Sequence, residues 1–319
     1  MQQLPPRPRQ TTDRALLARS RARNRLETAL ILTALAGLAA AIGHLAAGGL
    51  GLGVGLGFAA MTFVLSAAPS EAVFRQALGA VPLSPFQAPG LHAMLATLSA
   101  RAGLAAAPRL WLLPQRHLQA IAAGTMAAPG IGVTRALVEA LPPEELAAVL
   151  AHEVSHVRDG DLFVLRLATI AATATRAMAQ AGLIVAIFAG FGAIGAHPLL
   201  PVLLILSPLV ADLLTLSLTR AREFLADAGA AELTGEPAAL AAALRRLERI
   251  QGDDFERMTA RGPRWLRWFR THPTVAQRVA ALAAITVADG AGRPAWEAPW
   301  AVPPAQPARP AGRRNPWAR

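Results

Sequence analysis

The residues with the clearest chemical signature are two histidines and a glutamate in the segment His152-Glu153-Val154-Ser155-His156. Histidines four positions apart lie on the same face of a helix, with their Cβ atoms about 5–6 Å apart. That spacing lets both imidazoles bind one Zn²⁺. Glu153 directly follows the first histidine, so its carboxylate could reach a water at the metal rather than the metal itself. The alternative is a solvated helix face with two histidines that share no role.

A catalytic zinc site needs a third protein ligand and an open fourth position. The best candidate is Glu223, which precedes Asp227 by four residues in a helical segment. Glu223 would bind the metal, and Asp227 would accept the ring N–H of a ligating histidine and fix its tautomer. A Glu-x-x-x-Asp pair alone is a common solvated helix face, and only its combination with the histidine motif favours a metal site. We therefore expect one Zn²⁺ per chain, bound by His152, His156 and Glu223.

The segments around these motifs predict a mainly α fold with a small antiparallel sheet. The helix that carries the histidines begins at Pro142-Pro143, and acidic residues in its first turn lie at the positive end of the helix dipole. Three short apolar segments bounded by turn residues precede it and are typical of strands. They are Leu110–Leu113, Leu118–Ala122 and Ile131–Thr134.

The composition indicates a membrane protein rather than a wholly soluble enzyme. Of the 319 residues, 54% are hydrophobic and only 16% are charged, whereas a soluble domain has about a quarter charged residues. No charged residue occurs from Thr28 to Ser70, which leaves room for two membrane helices of about 20 residues each. We place them near Thr28–Ala47 and Leu50–Ala67, with a turn at Gly48-Gly49. A cleavable signal peptide is disfavoured, because the apolar stretch is too long for one.

A second uncharged run extends from Ala177 to Ala211 and is interrupted by His197-Pro198 and Pro201. Two membrane spans fit here only if each has about 17 residues, which is the low end of the usual range. A re-entrant hairpin that dips into the bilayer is a real alternative. Because this run separates the histidines from Glu223, a shared metal would have to lie close to the bilayer face.

The charge pattern predicts orientation and argues against nucleic-acid binding. The formal net charge is +11, and every cationic side chain belongs to arginine. Positive charge beside an apolar run keeps that end in the cytoplasm and contacts anionic lipid, and an even number of spans would keep the segment with the histidine motif there too. The absence of cysteine excludes disulfides, cysteine-ligated zinc and a thiol nucleophile. The arginines ahead of the first apolar run are Arg7, Arg9, Arg14, Arg19, Arg21, Arg23 and Arg25.

These observations divide the chain into six predicted segments. They are an Arg-rich cytoplasmic tail (1–26), a transmembrane hairpin (27–70), a peptidase segment with the active-site helix (71–176), a second transmembrane or re-entrant hairpin (177–214), a peptidase segment with the third zinc ligand (215–288), and a disordered tail rich in proline and arginine (289–319).

Three motifs carry a resemblance to a known family. The segment from Glu145 to Asp161 resembles the active-site helix of the HtpX-type membrane metallopeptidases, which are relatives of the CAAX-prenyl endopeptidases. Residues 222–227 resemble their third-ligand motif, and residues 271–278 resemble their late His-Pro…Arg motif. The resemblance runs from about residue 28 to 285. It implies a gluzincin-like metallopeptidase domain combined with transmembrane helical hairpins.

The resemblance also implies roles for individual residues. His152, His156 and Glu223 would be the zinc ligands and Glu153 the general base. His272 would stand near the substrate carbonyl or the oxyanion, and Arg278 would line the cleft.

A strand ahead of the active-site helix departs from the family pattern. The family has an Asn-Ala-Phe-Ala-like strand here, and this chain has Gln119 followed by Ala120 and Ile121. These three residues are candidates for pairing with a substrate through their backbone. A direct catalytic role for Gln119 is doubtful, because its side chain is longer than that of the family's asparagine.

Taken together, the sequence predicts a multi-pass zinc endopeptidase of the cytoplasmic (inner) membrane, with the peptidase domain facing the cytoplasm. The resemblance suggests protein or peptide substrates, in particular misfolded or unassembled membrane proteins, and a role in quality control. One rival is a prenyl-protein endopeptidase, which typically has more spans and a longer chain. Another is a non-catalytic membrane scaffold that has kept the fold, which would not need the general base Glu153.

Overall fold

The computed structural model describes residues 10–11, 14–66, 69–190, 197–252 and 273–286, and it confirms a mainly α fold with a small sheet. His272 and the predicted tail at 289–319 lie outside these ranges. In chain order the elements are β1 (Gln10–Thr11), α1 (Arg14–Ser66), a π-helical segment (Ala72–Ala77), β2 (Val81–Pro82), α2 (Pro89–Arg101), β3 (Arg109–Leu113), β4 (Ala120–Gly124), β5 (Pro129–Thr134), α3 (Arg135–Ala140), α4 (Pro143–Asp159), α5 (Asp161–Gly190), α6 (Leu199–Thr234), α7 (Pro237–Gln251), α8 (Val275–Ala283) and β6 (Ile285–Thr286).

Helix α1 is a hairpin of two arms. The chain leaves helical geometry at Ala47 (φ −150°) and Gly48 (φ +60°), and a positive φ of this kind is readily adopted only by glycine. The arms before and after this turn touch through glycine: a Cβ atom added to Gly43 would lie 2.0 Å from the carbonyl oxygen of Gly51. Small residues at such a contact let two helix backbones approach closely.

Three helical stretches are apolar over much of their length. By length and composition, the stretch Leu26–Val64 in α1 could cross a membrane, and shorter apolar stretches occupy Thr173–Phe188 in α5 and Leu199–Leu213 in α6. Many large apolar side chains on α1 face outward, such as Leu50, which is 79% exposed. Contiguous exposed apolar surface of this kind marks a binding or membrane surface.

The small sheet has the strand order β2-β3-β5-β4. It is mixed rather than antiparallel, because β3 and β5 run parallel while the pairs β2–β3 and β4–β5 are antiparallel. The cause is that β4 and β5 form a hairpin whose second strand inserts beside β3, which leaves β4 at the sheet edge. The alternation of apolar residues that predicts a strand does not specify the direction of its neighbour.

Helix α4 lies at the centre of the main hydrophobic core. Every residue from Glu145 to Val157 is buried. Pro143 occupies the first turn, where a missing N–H costs nothing, and Gly160 ends the helix with a φ of +77°. The core side chains packed around it from the sheet and the neighbouring helices include Leu91, Leu98, Leu110, Ile131, Leu137 and Leu240.

Candidate metal centre

Helices α4 and α6 bring the three predicted ligands together. One ligand atom from each of His152, His156 and Glu223 lies within 4.8 Å of the others, and all three side chains are buried. The Nε2 atoms of the two imidazoles are 3.2 Å apart. Nε2 of His152 is 3.6 Å from Oε2 of Glu223.

These spacings fit a single tetrahedral metal ion. With metal–nitrogen distances of about 2.0–2.1 Å, two ligand atoms of a tetrahedral site lie about 3.3–3.4 Å apart. The observed separations of 3.2 and 3.6 Å therefore match two edges of such a tetrahedron. The donor set of two imidazole nitrogens and one carboxylate also suits a divalent ion that accepts nitrogen and oxygen ligands.

Each histidine is oriented by a buried carboxylate on its other ring nitrogen. Nδ1 of His152 lies 3.0 Å from Oδ1 of Asp227, and Nδ1 of His156 lies 2.8 Å from Oδ2 of Asp161. Because an ionised carboxylate only accepts, each Nδ1 carries the hydrogen and each Nε2 presents a lone pair. Two lone pairs facing each other at 3.2 Å repel one another unless a cation lies between them. The pocket is therefore built for a positive ion.

Arg278 on α8 contacts the third-ligand motif directly. Its Nε and one terminal nitrogen donate to the two carboxylate oxygens of Asp227 at 2.8 and 2.6 Å, and its other terminal nitrogen is 3.2 Å from Oε2 of Glu223. Burial would raise the pKa of Asp227, but hydrogen bonds from Arg278 and His152 hold that pKa below its usual value. Burial would lower the pKa of Arg278, but the hydrogen bond to Asp227 outweighs the effect of burial and raises that pKa. Both groups are therefore charged at neutral pH.

Asp161 and Arg222 are parts of the site that the sequence analysis missed. Asp161 begins α5, directly after Gly160, and is only 2% exposed. Arg222, the residue before Glu223, donates to Oδ1 of Asp161 and, over 2.7 Å, to the hydroxyl oxygen of Thr28. An aspartate five positions after the second histidine, behind a helix-ending glycine, is the signal that could have drawn attention to it.

Close packing holds α4 and α6 at the spacing that the ligands need. A Cβ atom added to Gly229 on α6 would lie 2.5 Å from the hydroxyl of Ser155 on α4. Ser155 sits between the two histidines and is fully buried. The absence of a side chain at residue 229 therefore lets α6 approach the histidine helix.

The predicted substrate-pairing residues lie at the edge of the sheet. Ala120 and Ile121 begin β4, which packs beside α4, and Gln119 directly precedes that strand. The side-chain oxygen of Gln119 lies 2.7 Å from Nε2 of His117. Glu153 lies beside His152 on α4 and is 9% exposed. His272 falls outside the described residues.

A two-histidine, one-glutamate cluster on two helices, each imidazole held by an aspartate, defines a metallopeptidase-type centre. A sequence profile of peptidase family M48 matches residues 85–286. The chain belongs to peptidase family M48, and it is a metallopeptidase.

Relatives extend this assignment over most of the chain. A protein named "Protease HtpX homolog" from Nostoc punctiforme is 36% identical over 279 residues, which cover 81% of this chain and 95% of that protein. A protein of the same name from Trichormus variabilis is 38% identical over 232 residues, which cover 70% of this chain and 80% of that protein. These matches confirm the HtpX-type resemblance and, with the apolar helix α1, support a membrane metalloprotease.

The chain is also similar to a solved structure, the crystal structure of S. mikatae Ste24p. The alignment covers 72% of this chain and 57% of that one, at 20% sequence identity and a TM-score of 0.45.

Proposed function

We propose that this chain is a zinc-dependent endopeptidase of the cytoplasmic membrane that cleaves membrane or misfolded proteins. The observation that carries the proposal is the convergence of two Nε2 lone pairs and the Glu223 carboxylate on one buried point. The family supports peptidase activity, and the nitrogen and oxygen donors favour zinc among divalent ions that bind imidazole.

The chemistry divides between the bound ion and the protein. Zinc lowers the pKa of water to near 7 and polarises a carbonyl oxygen. Glu153 then acts as the general base: its carboxylate takes a proton from the attacking water and returns it to the nitrogen of the leaving amine. His272 would donate a hydrogen bond to the oxygen of the substrate carbonyl as negative charge develops there. His152, His156 and Glu223 hold the ion.

The edge strand β4 is the proposed binding site for the substrate backbone. An extended peptide can add to an exposed sheet edge through main-chain hydrogen bonds, and β4 is the last strand in its sheet. A cleft of about 660 Å³ runs beside its second half, between the π-helical segment and α5, with Arg166 among its lining residues. Residues 119–121 lie at the other end of this strand.

The proposed membrane topology has both termini in the cytoplasm. The α1 hairpin would cross the bilayer twice, since arms of about 20 residues reach about 30 Å. The apolar parts of α5 and α6 would form the second excursion, either as short spans or as a re-entrant hairpin. Reporter fusions at Gly49 and His197 test this: an external signal at both supports two full hairpins, and a cytoplasmic signal at both contradicts the topology.

The role in quality control is tested with an orphaned membrane protein. We expect the purified enzyme in lipid vesicles to cleave a membrane subunit whose partner is absent faster than the same subunit in its complex. Equal cleavage of both would contradict this substrate class without affecting the peptidase assignment.

The decisive test of the chemistry compares two glutamate variants. We expect Glu223→Ala to lose the bound zinc and Glu153→Gln to keep about one zinc per chain while casein cleavage and self-cleavage disappear. Glu248→Gln, an exposed position on α7, makes the same chemical change away from the site and should leave both measurements unaltered. Cleavage by Glu153→Gln at the parental rate would show that the mechanism is wrong.

A further inference from the structure

A continuous chain of polar contacts joins the metal centre to the first apolar helix. Nδ1 of His156 donates to Oδ2 of Asp161 over 2.8 Å, and Oδ1 of the same carboxylate accepts from Arg222. The guanidinium of Arg222 also donates over 2.7 Å to the hydroxyl oxygen of Thr28 on α1. Three helices, α4, α6 and α1, thus meet around one aspartate at the start of a fourth, α5.

The buried charges in this series of polar contacts depend on one another. Asp161 is 2% exposed and Arg222 is 4% exposed, so each charge is compensated by its partner rather than by water. Removing one partner of a buried ion pair leaves an uncompensated charge, whereas the intact pair is tolerated. Both oxygens of Asp161 are engaged, one by the imidazole and one by the guanidinium. A shift of Arg222 therefore changes the carboxylate that orients His156.

Thr28 is the member of this series of polar contacts that lies on the α1 hairpin. It lies where the uncharged run begins, and it is 8% exposed. The planar guanidinium presents its donors in a fixed fork, so the Thr28 hydroxyl and the Asp161 carboxylate together define the plane of Arg222. Neighbouring apolar contacts of the same arm, in which Ile31 packs with Val164 of α5, hold the threonine in place.

We propose that Thr28 and Arg222 are positioning residues of the metal centre, so that the first apolar helix is a working part of the site as well as an anchor. The hydroxyl of Thr28 fixes the guanidinium of Arg222, which fixes the Asp161 carboxylate and through it the ring of His156. This inference rests on the proposed metal site. An anchor without this role would tolerate loss of the Thr28 hydroxyl with no change at the metal.

The test measures the zinc dissociation constant of the purified full-length chain by competition with a chelator of known affinity. Loss of the group that orients a metal-bound histidine typically lowers metal affinity 10–100-fold, and we expect Asp161→Ala to fall in that range. Thr28→Val removes the hydroxyl and should lower affinity in the same direction by roughly 3- to 10-fold, since Thr28 acts on His156 only through Arg222 and Asp161. Thr28→Ser keeps the hydroxyl and should restore the parental value.

Thr33→Val is the matched control, because Thr33 lies on the same arm, is exposed, and donates to the Ala29 carbonyl oxygen of its own helix at 2.8 Å. Zinc affinity of Thr28→Val equal to that of Thr33→Val would overturn the proposal. Should Thr28→Val fail to fold, Arg222→Lys takes its place. A single ammonium cannot span both acceptors, so affinity should again fall, and unaltered affinity is the contrary result. If the parent chain binds no zinc, the proposed function fails instead.

Discussion

Arg278 offers the sharpest test of how the metal centre is held together. Its side chain is 13% exposed, and its guanidinium makes two short contacts with Asp227, whose side chain is 2% exposed, and one contact with Glu223. The substitution Arg278→Met removes the charge and keeps much of the side-chain length. Asp227 is then left with Nδ1 of His152, 3.0 Å away, as its remaining partner from this cluster.

The size of the effect follows from that burial. Breaking a buried ion pair by removing one partner costs about 3–5 kcal/mol, and we expect the free energy of unfolding of the metal-free protein to fall by this amount. Zinc affinity should fall about 10–100-fold, because Asp227 and Glu223 both lose the group that orients them. Arg278→Lys keeps a charge but loses the bidentate geometry, so an intermediate loss is expected.

The assay combines denaturant unfolding, zinc competition and the split between kcat and KM. Arg249→Met is the control, because Arg249 is exposed on α7 and donates to the Arg245 carbonyl oxygen of its own helix. This substitution removes the same charge and should change the free energy of unfolding by no more than about 0.5 kcal/mol. The reasoning is refuted if Arg278→Met leaves stability and zinc affinity intact and raises only KM. Arg278 would then bind substrate, as the family resemblance implies.

Three further outcomes are expected. Gly43→Ala should lower the free energy of unfolding by about 1–3 kcal/mol, because the added Cβ would overlap the facing arm of α1. The control Gly53→Ala places its Cβ in open space and should be neutral or slightly stabilising. Equal effects of the two variants in thermal unfolding would contradict the hairpin contact. Gly229→Ala should push α6 from α4 and weaken zinc binding in the chelator assay, and parental affinity would show that the helix spacing is not set there. Leu150→Ala should cost about 2–5 kcal/mol by leaving a core cavity, measured by denaturant unfolding, and a loss below 1 kcal/mol would contradict the packing around α4.

Local spacing was enough to predict the histidine half of the site. His152 and His156 lie one helical turn apart, and the helix start at Pro143 can be recognised from sequence because proline and acidic residues favour its first turn. Glu223 needed more: a glutamate four positions before an aspartate is common on solvated helices, and only its combination with the histidine motif made it a ligand candidate. The structure then places its carboxylate beside His152.

The partners that come from distant segments could not be read from the sequence. Thr28 and Arg222 are 194 positions apart, and no periodicity relates a hydroxyl at the start of an apolar run to an arginine on a late helix. Asp161 was overlooked because it lies outside the helix that carries the histidines, past the turn at Gly160. The parallel pairing of β3 with β5 was also missed, since strand direction depends on where the β4–β5 hairpin inserts.

The order of the site's components along the chain has a consequence for biosynthesis. The histidine helix emerges from the ribosome first, and Glu223 and Arg278 follow only after α5 and most of α6 have been made. A half-made chain carries two imidazoles but no third ligand and no arginine to organise it. The three-residue cluster therefore cannot form until α6 has been synthesised and has packed against the histidine helix.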